Sequence, residues 1–133
     1  MSEQTPSPGG SDASAFKSRG GLRRVWNAMR YSVAGLRAAV RHEAAFRQEL
    51  ALGVPMLLLV PFVAPGRWQA LLLAGSVVAV WIVELLNSAV EALADTVSVE
   101  HHPMLGRAKD LGSAAVMLAL LFAGLVWAVV LWP

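Results

Sequence analysis

From Leu22 onward apolar residues recur in steps of four and three, at Leu22, Trp26, Met29, Val33, Leu36 and Val40, while Arg23, Arg30, Arg37 and Arg41 take other directions. This period predicts an amphipathic helix over about 22–42. Its Trp26 and Tyr31 suit the headgroup zone of a membrane and its arginines can meet lipid phosphates, although a helix that docks on a partner protein has a similar pattern. Residues 1–20, with SPGG and SRGG, carry no sustained hydrophobic period and read as a disordered tail. They also lack the apolar core of a signal peptide. After His42 the pattern changes: Leu50–Pro65 is apolar through Pro55 and Pro61. Adding Ala44–Phe46, with Arg47 and Glu49 held at the interface, gives a span over about 44–65, close to the ~20 residues that a hydrocarbon core requires. Gly66 and Arg67 form a turn, and Trp68 opens a second span that runs to about Asp95. The segment VSVEHHPML reads as a loop. A third span covers about 107–132, with no charge from Ala114 to Trp132 and an aromatic end at Trp127 and Trp132.

Within the second span the run VELLNSAVEALAD, residues 83–95, breaks the apolar character. Glu84, Asn87, Glu91 and Asp95 fall within about 80° of arc on one helix face, with Ser88 beside them. The fourteen residues before Glu84 hold nothing more polar than Gly75 and Ser76. A carboxylate entering such a segment is a functional-site candidate by default. The plainer alternative is a helix that leaves the membrane at Glu84, with the remaining stripe in solvent.

Composition narrows the class. With 133 residues, 56% of them hydrophobic, and a mean hydropathy of +0.56, the chain fits one domain in a membrane. The predicted fold is all-α: an N-terminal amphipathic surface helix followed by three transmembrane helices. The absence of cysteine excludes disulfides, thiolate zinc sites and thiol nucleophiles. The net charge of +2 is small, and most Lys and Arg precede Leu50. Nucleic acid binding is one reading of that basic patch, but an amphipathic helix on an anionic membrane surface accounts for its apolar stripe as well. Lys and Arg lie before the first span and between the second and third, with only Arg67 between the first two. The N-terminus is therefore expected in the cytoplasm and the C-terminus outside. Of nine Asp and Glu, two lie in the tail and the other seven gather on the cytoplasmic side.

Such a gathering permits phosphoryl chemistry. Carboxylates can hold Mg²⁺, which takes oxygen ligands and usually keeps waters and substrate phosphates in its shell. A lysine can neutralise a phosphoryl oxygen as charge develops. Glu84, in poorly hydrated surroundings, suits the removal of a proton from an alcohol. No GxxxxGK[ST] and no GxGxxG after a strand is present, so any use of ATP proceeds without a P-loop.

The strings EAAFRQE (43–49), VELLNSAVEALAD (83–95) and GRAKDLGSAA (106–115), in this order after an amphipathic helix, resemble the prokaryotic diacylglycerol kinases, small integral membrane kinases. The resemblance covers about 22–132. It implies a homotrimeric helix bundle in the bacterial inner membrane, with active sites shared between subunits. The implied reaction moves the γ-phosphate of ATP to the free hydroxyl of a membrane diacylglycerol, with Mg²⁺ as cofactor and no nucleic acid partner. By that resemblance Glu84 is the catalytic base, and Glu43 and Glu91 hold the metal with ATP. Lys109 and Asp110 form the ATP-binding KD pair, with Lys109 placed for phosphate. Arg24 and Tyr31 are nucleotide contacts, and Glu100, His101 and His102 belong to the loop over the nucleotide. Arg24, Glu84, Asn87 and Ser113 are the lipid-substrate positions. His101 stands where the family tends to carry an aromatic side chain, and Ala34 where it can carry lysine.

Three other functions compete. A polyprenol kinase of the same fold would phosphorylate undecaprenol at the same site. A small proton-coupled transporter would place its essential carboxylate deeper, in the first of about four spans. A membrane adaptor would use the basic helix as a dock and leave Glu84 without a purpose.

Overall fold

The computed structural model describes residues 12–97 and 102–132, with side chains from Gly21 onward. It contains four helices: α1 (Asp12–His42), α2 (Ala44–Val63), α3 (Arg67–Val97) and α4 (Pro103–Leu131). The chain divides into two compact units between Ala38 and Ala39. The first is α1 up to Ala38, and the second is the packed set of α2, α3 and α4.

Helix α1 starts at Asp12, so residues 12–20, assigned to the tail by their composition, are helical. The physical reason is local: after Pro8 no proline interrupts the chain, and Asp12–Arg19 contains Ala, Phe, Lys and Arg, which the helix tolerates well. Gly20 and Gly21 each cost about 1 kcal/mol against alanine without ending it.

Among the described residues three helices are long and apolar enough to cross a membrane, and they coincide with the three predicted spans to within a few residues. Helix α3 packs extensively against both α2 and α4, which makes it the centre of the second unit. Its buried residues are Leu73, Ser76, Val77, Val80, Glu84, Asn87, Ser88 and Ala94, a single stripe at helical spacing. The stripe is mostly apolar up to Val80 and polar from Glu84, so the polar face of residues 84–95 continues the packing face of the helix. At α2 the matching stripe is Phe46, Gly53 and Val60. Gly53 is required there: an added Cβ would lie 2.7 Å from the Trp81 ring and 2.8 Å from Val77. The Trp81 indole N–H also donates to the Glu49 carbonyl, at 3.2 Å, joining α3 to α2.

Pro55 and Pro61 lie inside α2 without ending it. A proline removes one N–H and displaces the carbonyl a turn earlier, which spanning helices accommodate with help from their neighbours. At the start of α4, Pro103 occupies the first turn, where its missing N–H costs nothing, and His102 is the N-cap. This starts the third span at Pro103, a turn earlier than the sequence pattern suggests.

Helices α3 and α4 have 31 and 29 residues, about 46 and 44 Å at 1.5 Å per residue, against a hydrocarbon core of about 30 Å. Both therefore extend beyond the apolar zone. Outward-facing residues such as Leu58, Phe62, Leu121 and Leu125 are exposed in the single chain. That surface suits lipid or another protein chain and does not suit water.

Candidate active site

Glu43 sits at the break between α1 and α2. Its backbone is extended, with φ −98° and ψ 112°, and it serves as the N-cap of α2 without making a side-chain cap bond. The carboxylate is thereby left available. Arg47, read from sequence as a side chain that only reaches toward the interface, donates to the carbonyls of Val40 (3.4 Å) and Arg41 (3.5 Å). These are among the carbonyls that the end of a helix leaves without intrahelical partners.

A groove of ≈ 650 Å³ opens beside α3, lined by Glu43, Glu84, Asn87, Glu91 and Ser113 on its polar side and by Val116, Met117, Leu120 and Leu121 on its apolar side. It brings five residues that the sequence marked as site candidates into one place, from α3, α4 and the α1–α2 break. Glu84 is only 4% exposed, and Asn87 and Ser88 are buried beside it, against the reading of a stripe left in solvent, which holds only for its far end at Asp95. The Asn87 amide donates to Glu91 Oε1 at 3.1 Å. Asn87 Oδ1 and Ser88 Oγ are buried with no hydrogen-bond partner among the described residues. Buried polar atoms are rarely left unpaired, so these two mark polarity on the packing face of α3 that the described residues do not satisfy.

Gly112 on α4 lies directly against Asn87, and a Cβ added there would overlap Asn87 Oδ1. Gly112→Ala is accordingly expected to push Asn87 off Glu91, costing about 1–3 kcal/mol of stability as overpacking does. Turnover should fall with it. Gly75→Ala, where an added Cβ meets nothing within 4 Å, is the control expected to keep activity and to gain up to about 1 kcal/mol of stability. Thermal unfolding and an activity assay on the two variants check this.

Near the groove, Lys109 Nζ makes an ion pair with Asp95 Oδ1 at 2.9 Å, closing the end of α3 onto the start of α4. Lys109 is half-buried and Asp110 exposed, and neither lines the groove itself. His102 is exposed, and its Nδ1 accepts from the Met104 N–H at 3.3 Å, so in the neutral ring Nε2 carries the proton. Glu100 and His101 lie outside the described residues. Arg24 and Tyr31 are exposed on α1, within the other unit.

Two features escaped the sequence reading. Asp95 was seen as part of the stripe but not as the partner of Lys109, a pairing across fourteen residues that only the α3–α4 packing creates. Glu49, placed at the membrane interface together with Arg47, is half-buried among the helices, with Oε2 buried and without a hydrogen-bond partner among the described residues, which the sequence reading did not foresee. It borders a mostly apolar cavity of ≈ 190 Å³ with Gly53, Trp81 and Gly124. The signal was present: Glu49 falls between Phe46 and Gly53 on the packing face of α2.

No group of three or more His, Asp or Glu able to hold a metal on its own occurs among the described residues. Glu43 and Glu91 nevertheless line one groove and both act electrostatically on Glu84. Two carboxylates without a full protein cage fit Mg²⁺, which relies on substrate phosphates and waters for its other ligands.

Three helices long and apolar enough to span a membrane, and a groove that is carboxylate-rich on one side and apolar on the other, define a membrane protein with an acidic site at the edge of an apolar wall. A profile of the prokaryotic diacylglycerol kinase family matches residues 30–131. The chain is 45% identical over 118 residues to a diacylglycerol kinase of Pseudomonas aeruginosa, covering 89% of this chain and 96% of that protein. It is 48% identical over 115 residues to the diacylglycerol kinase of Escherichia coli K12, covering 84% and 92%. With that of Haemophilus influenzae it shares 41% over 112 residues, covering 84% and 95%. The chain belongs to the prokaryotic diacylglycerol kinase family.

Proposed function

We propose that this chain transfers the γ-phosphoryl group of ATP to the free hydroxyl of a membrane diacylglycerol, giving phosphatidic acid and ADP, at the groove beside α3. The observation that carries this reading is Glu84, buried on the wall of a groove whose two sides differ in polarity. Val116, Met117, Leu120 and Leu121 offer an apolar bed for acyl chains, and the hydroxyl end then meets Glu84, Asn87 and Ser113. Asn87 and Ser113, on the polar wall of the groove, supply polar contacts near the hydroxyl and its glycerol. Glu84 removes the hydroxyl proton as the oxygen bonds to the γ-phosphorus and the bond to the β-phosphate oxygen breaks.

Glu43 and Glu91 would hold Mg²⁺, which when bound offsets the negative charge of the nucleotide phosphates. Asn87, bonded to Glu91 Oε1, fixes the orientation of that carboxylate. By the family resemblance Lys109, which Asp95 holds in place, and Asp110, His102, Glu100, His101, Arg24 and Tyr31 are assigned to the nucleotide. Asp95→Asn is expected to change stability by less than about 1 kcal/mol, as for other exposed ion pairs. The KM for ATP should rise several-fold while kcat is retained, because Lys109 loses its fixed position. Steady-state kinetics over an ATP range checks this.

In this reading the enzyme is a homotrimer in the inner membrane, with sites shared between subunits, its N-terminus and groove on the cytoplasmic side and its C-terminus outside. The exposed apolar faces of α2 and α4 support assembly, and the distribution of Lys and Arg supports the orientation. Diacylglycerol rather than undecaprenol is favoured as acceptor because the cited relatives carry the name diacylglycerol kinase. The test is radiolabel transfer from γ-labelled ATP in mixed micelles with Mg²⁺, offering each acceptor separately. Preferential labelling of diacylglycerol is expected, and preferential labelling of undecaprenol would overturn the choice of substrate.

A further inference from the structure

We propose that Arg47 is a positioning residue for Glu43: its guanidinium holds the free carbonyls at the end of α1, which keeps Glu43 extended at the helix break and leaves its carboxylate available to the metal. This role rests on that of Glu43 as a holder of Mg²⁺ with the nucleotide, proposed above. The residues concerned, Ala39 to Arg47, all lie in the second unit. A helix leaves its last four carbonyls without intrahelical partners, here those of residues 39–42. Ala39 O accepts from the Glu43 N–H at 2.9 Å. Val40 O and Arg41 O both accept from Arg47 Nη1, at 3.4 and 3.5 Å. The Arg47 backbone N–H donates to Glu43 O at 3.3 Å. Glu43 is thus fixed through its own N–H and its own carbonyl, and Arg47 acts on both sides of it: its backbone takes the carbonyl, and its side chain closes the turn that takes the N–H.

Another partner is within reach of Arg47. Glu43 precedes it by four residues, the spacing and order at which a glutamate and a following cation pair best along a helix. Yet among the described residues the ion pair of Lys109 with Asp95 is the only one. The guanidinium is turned instead to the carbonyl end of α1, where the helix dipole favours a cation. The difference matters for chemistry. A carboxylate engaged by an arginine fork has its oxygens occupied and its charge offset, which competes with a hard cation that takes oxygen ligands. Glu43, without a side-chain cap bond, lines the groove together with Glu84 and Glu91. Arg47 is exposed and its two side-chain bonds are long, so its removal should leave the helices standing and be felt at Glu43.

The experiment uses the full chain in detergent micelles and has two readouts. One is the binding of Mn²⁺ with a non-hydrolysable ATP analogue, followed by paramagnetic resonance, and the other is hydrogen–deuterium exchange of residues 39–47 without metal or nucleotide. Arg47→Gln should weaken Mn²⁺ binding by about tenfold, the lower end of the range for lost partners of metal ligands. It should also speed exchange over 39–47 while α3 and α4 exchange as in the natural sequence. Arg47→Lys, which keeps a cation near the carbonyls, should keep most of the affinity. Added to Glu43→Gln, Arg47→Gln should cause no further loss, since both act through one carboxylate. Unchanged Mn²⁺ affinity in Arg47→Gln would overturn the proposal. A loss that adds in full to that of Glu43→Gln would do so too, since Arg47 would then serve the nucleotide or a lipid phosphate directly. Should Arg47→Gln fail to fold, Arg47→Met, which keeps the apolar stem, faces the same test. Unchanged affinity in Glu43→Gln would overturn the metal role of Glu43 and this proposal with it, so the variant that keeps its affinity tells the two failures apart.

Discussion

Glu84→Gln lowers kcat by about 10²–10⁴-fold, the usual contribution of a general base, while the Kd for ATP stays within about twofold. The substitution keeps the volume and hydrogen-bonding capacity of a side chain that is 4% exposed on the packing face of α3, so the helices keep their places. What it removes is the proton acceptor at the polar end of the groove. Binding of the nucleotide–metal complex depends on Glu43 and Glu91 in this account, and both remain. Equilibrium binding of ATP in parallel with single-turnover transfer separates the two effects. A variant that loses ATP binding as fully as transfer would move Glu84 from proton transfer into the nucleotide site.

Glu43→Gln and Glu91→Gln produce the complementary result. Each removes one of the two carboxylates available to Mg²⁺, and the affinity for the ATP–Mg²⁺ complex should drop by about 10- to 100-fold, the range seen when metal-site partners are lost. Raising Mg²⁺ should recover part of the activity, because the deficit lies in binding. The two variants need not be identical. Glu91 accepts from Asn87, and Gln keeps an oxygen for that bond but without charge, so Glu91→Gln also weakens the hold on the Asn87 side chain that rests against Gly112. Glu43, at an extended position with no cap bond to lose, should act through the metal alone. If both variants and Glu84→Gln lost ATP affinity equally, the division of roles would be wrong.

Much of this arrangement could be read from the chain. Period and length located the three spans, because about twenty apolar residues leave few alternatives in a membrane protein. The polar stripe of 83–95 was visible for the same reason: a carboxylate at the end of an apolar run is conspicuous. Its burial was not, since periodicity places Glu84, Asn87 and Glu91 on one face and does not say what covers that face. The covering depends on residues far away in sequence, such as Gly112 against Asn87 and Lys109 on Asp95. The start of α1 was misplaced because Ser and Gly in residues 1–20 lower helix propensity on average, while Asp12–Arg19 taken alone is compatible with a helix. The burial of Glu49 was not read, although it falls on the stripe of Phe46, Gly53 and Val60, because a charged residue at a span end gives no sign of which helix covers it.

The central claim is that the nucleotide–metal complex sits at the groove beside Glu84. The chain has no cysteine, so one engineered thiol gives one spin label. Met117→Cys places the label on an exposed groove-lining residue of α4, and Val129→Cys places it on the same helix about 18 Å further along. With Mn²⁺ in place of Mg²⁺, addition of ATP should broaden the label at 117 strongly and the label at 129 weakly, by paramagnetic resonance. Equal broadening at both positions, or stronger broadening at 129, would contradict the placement of the site.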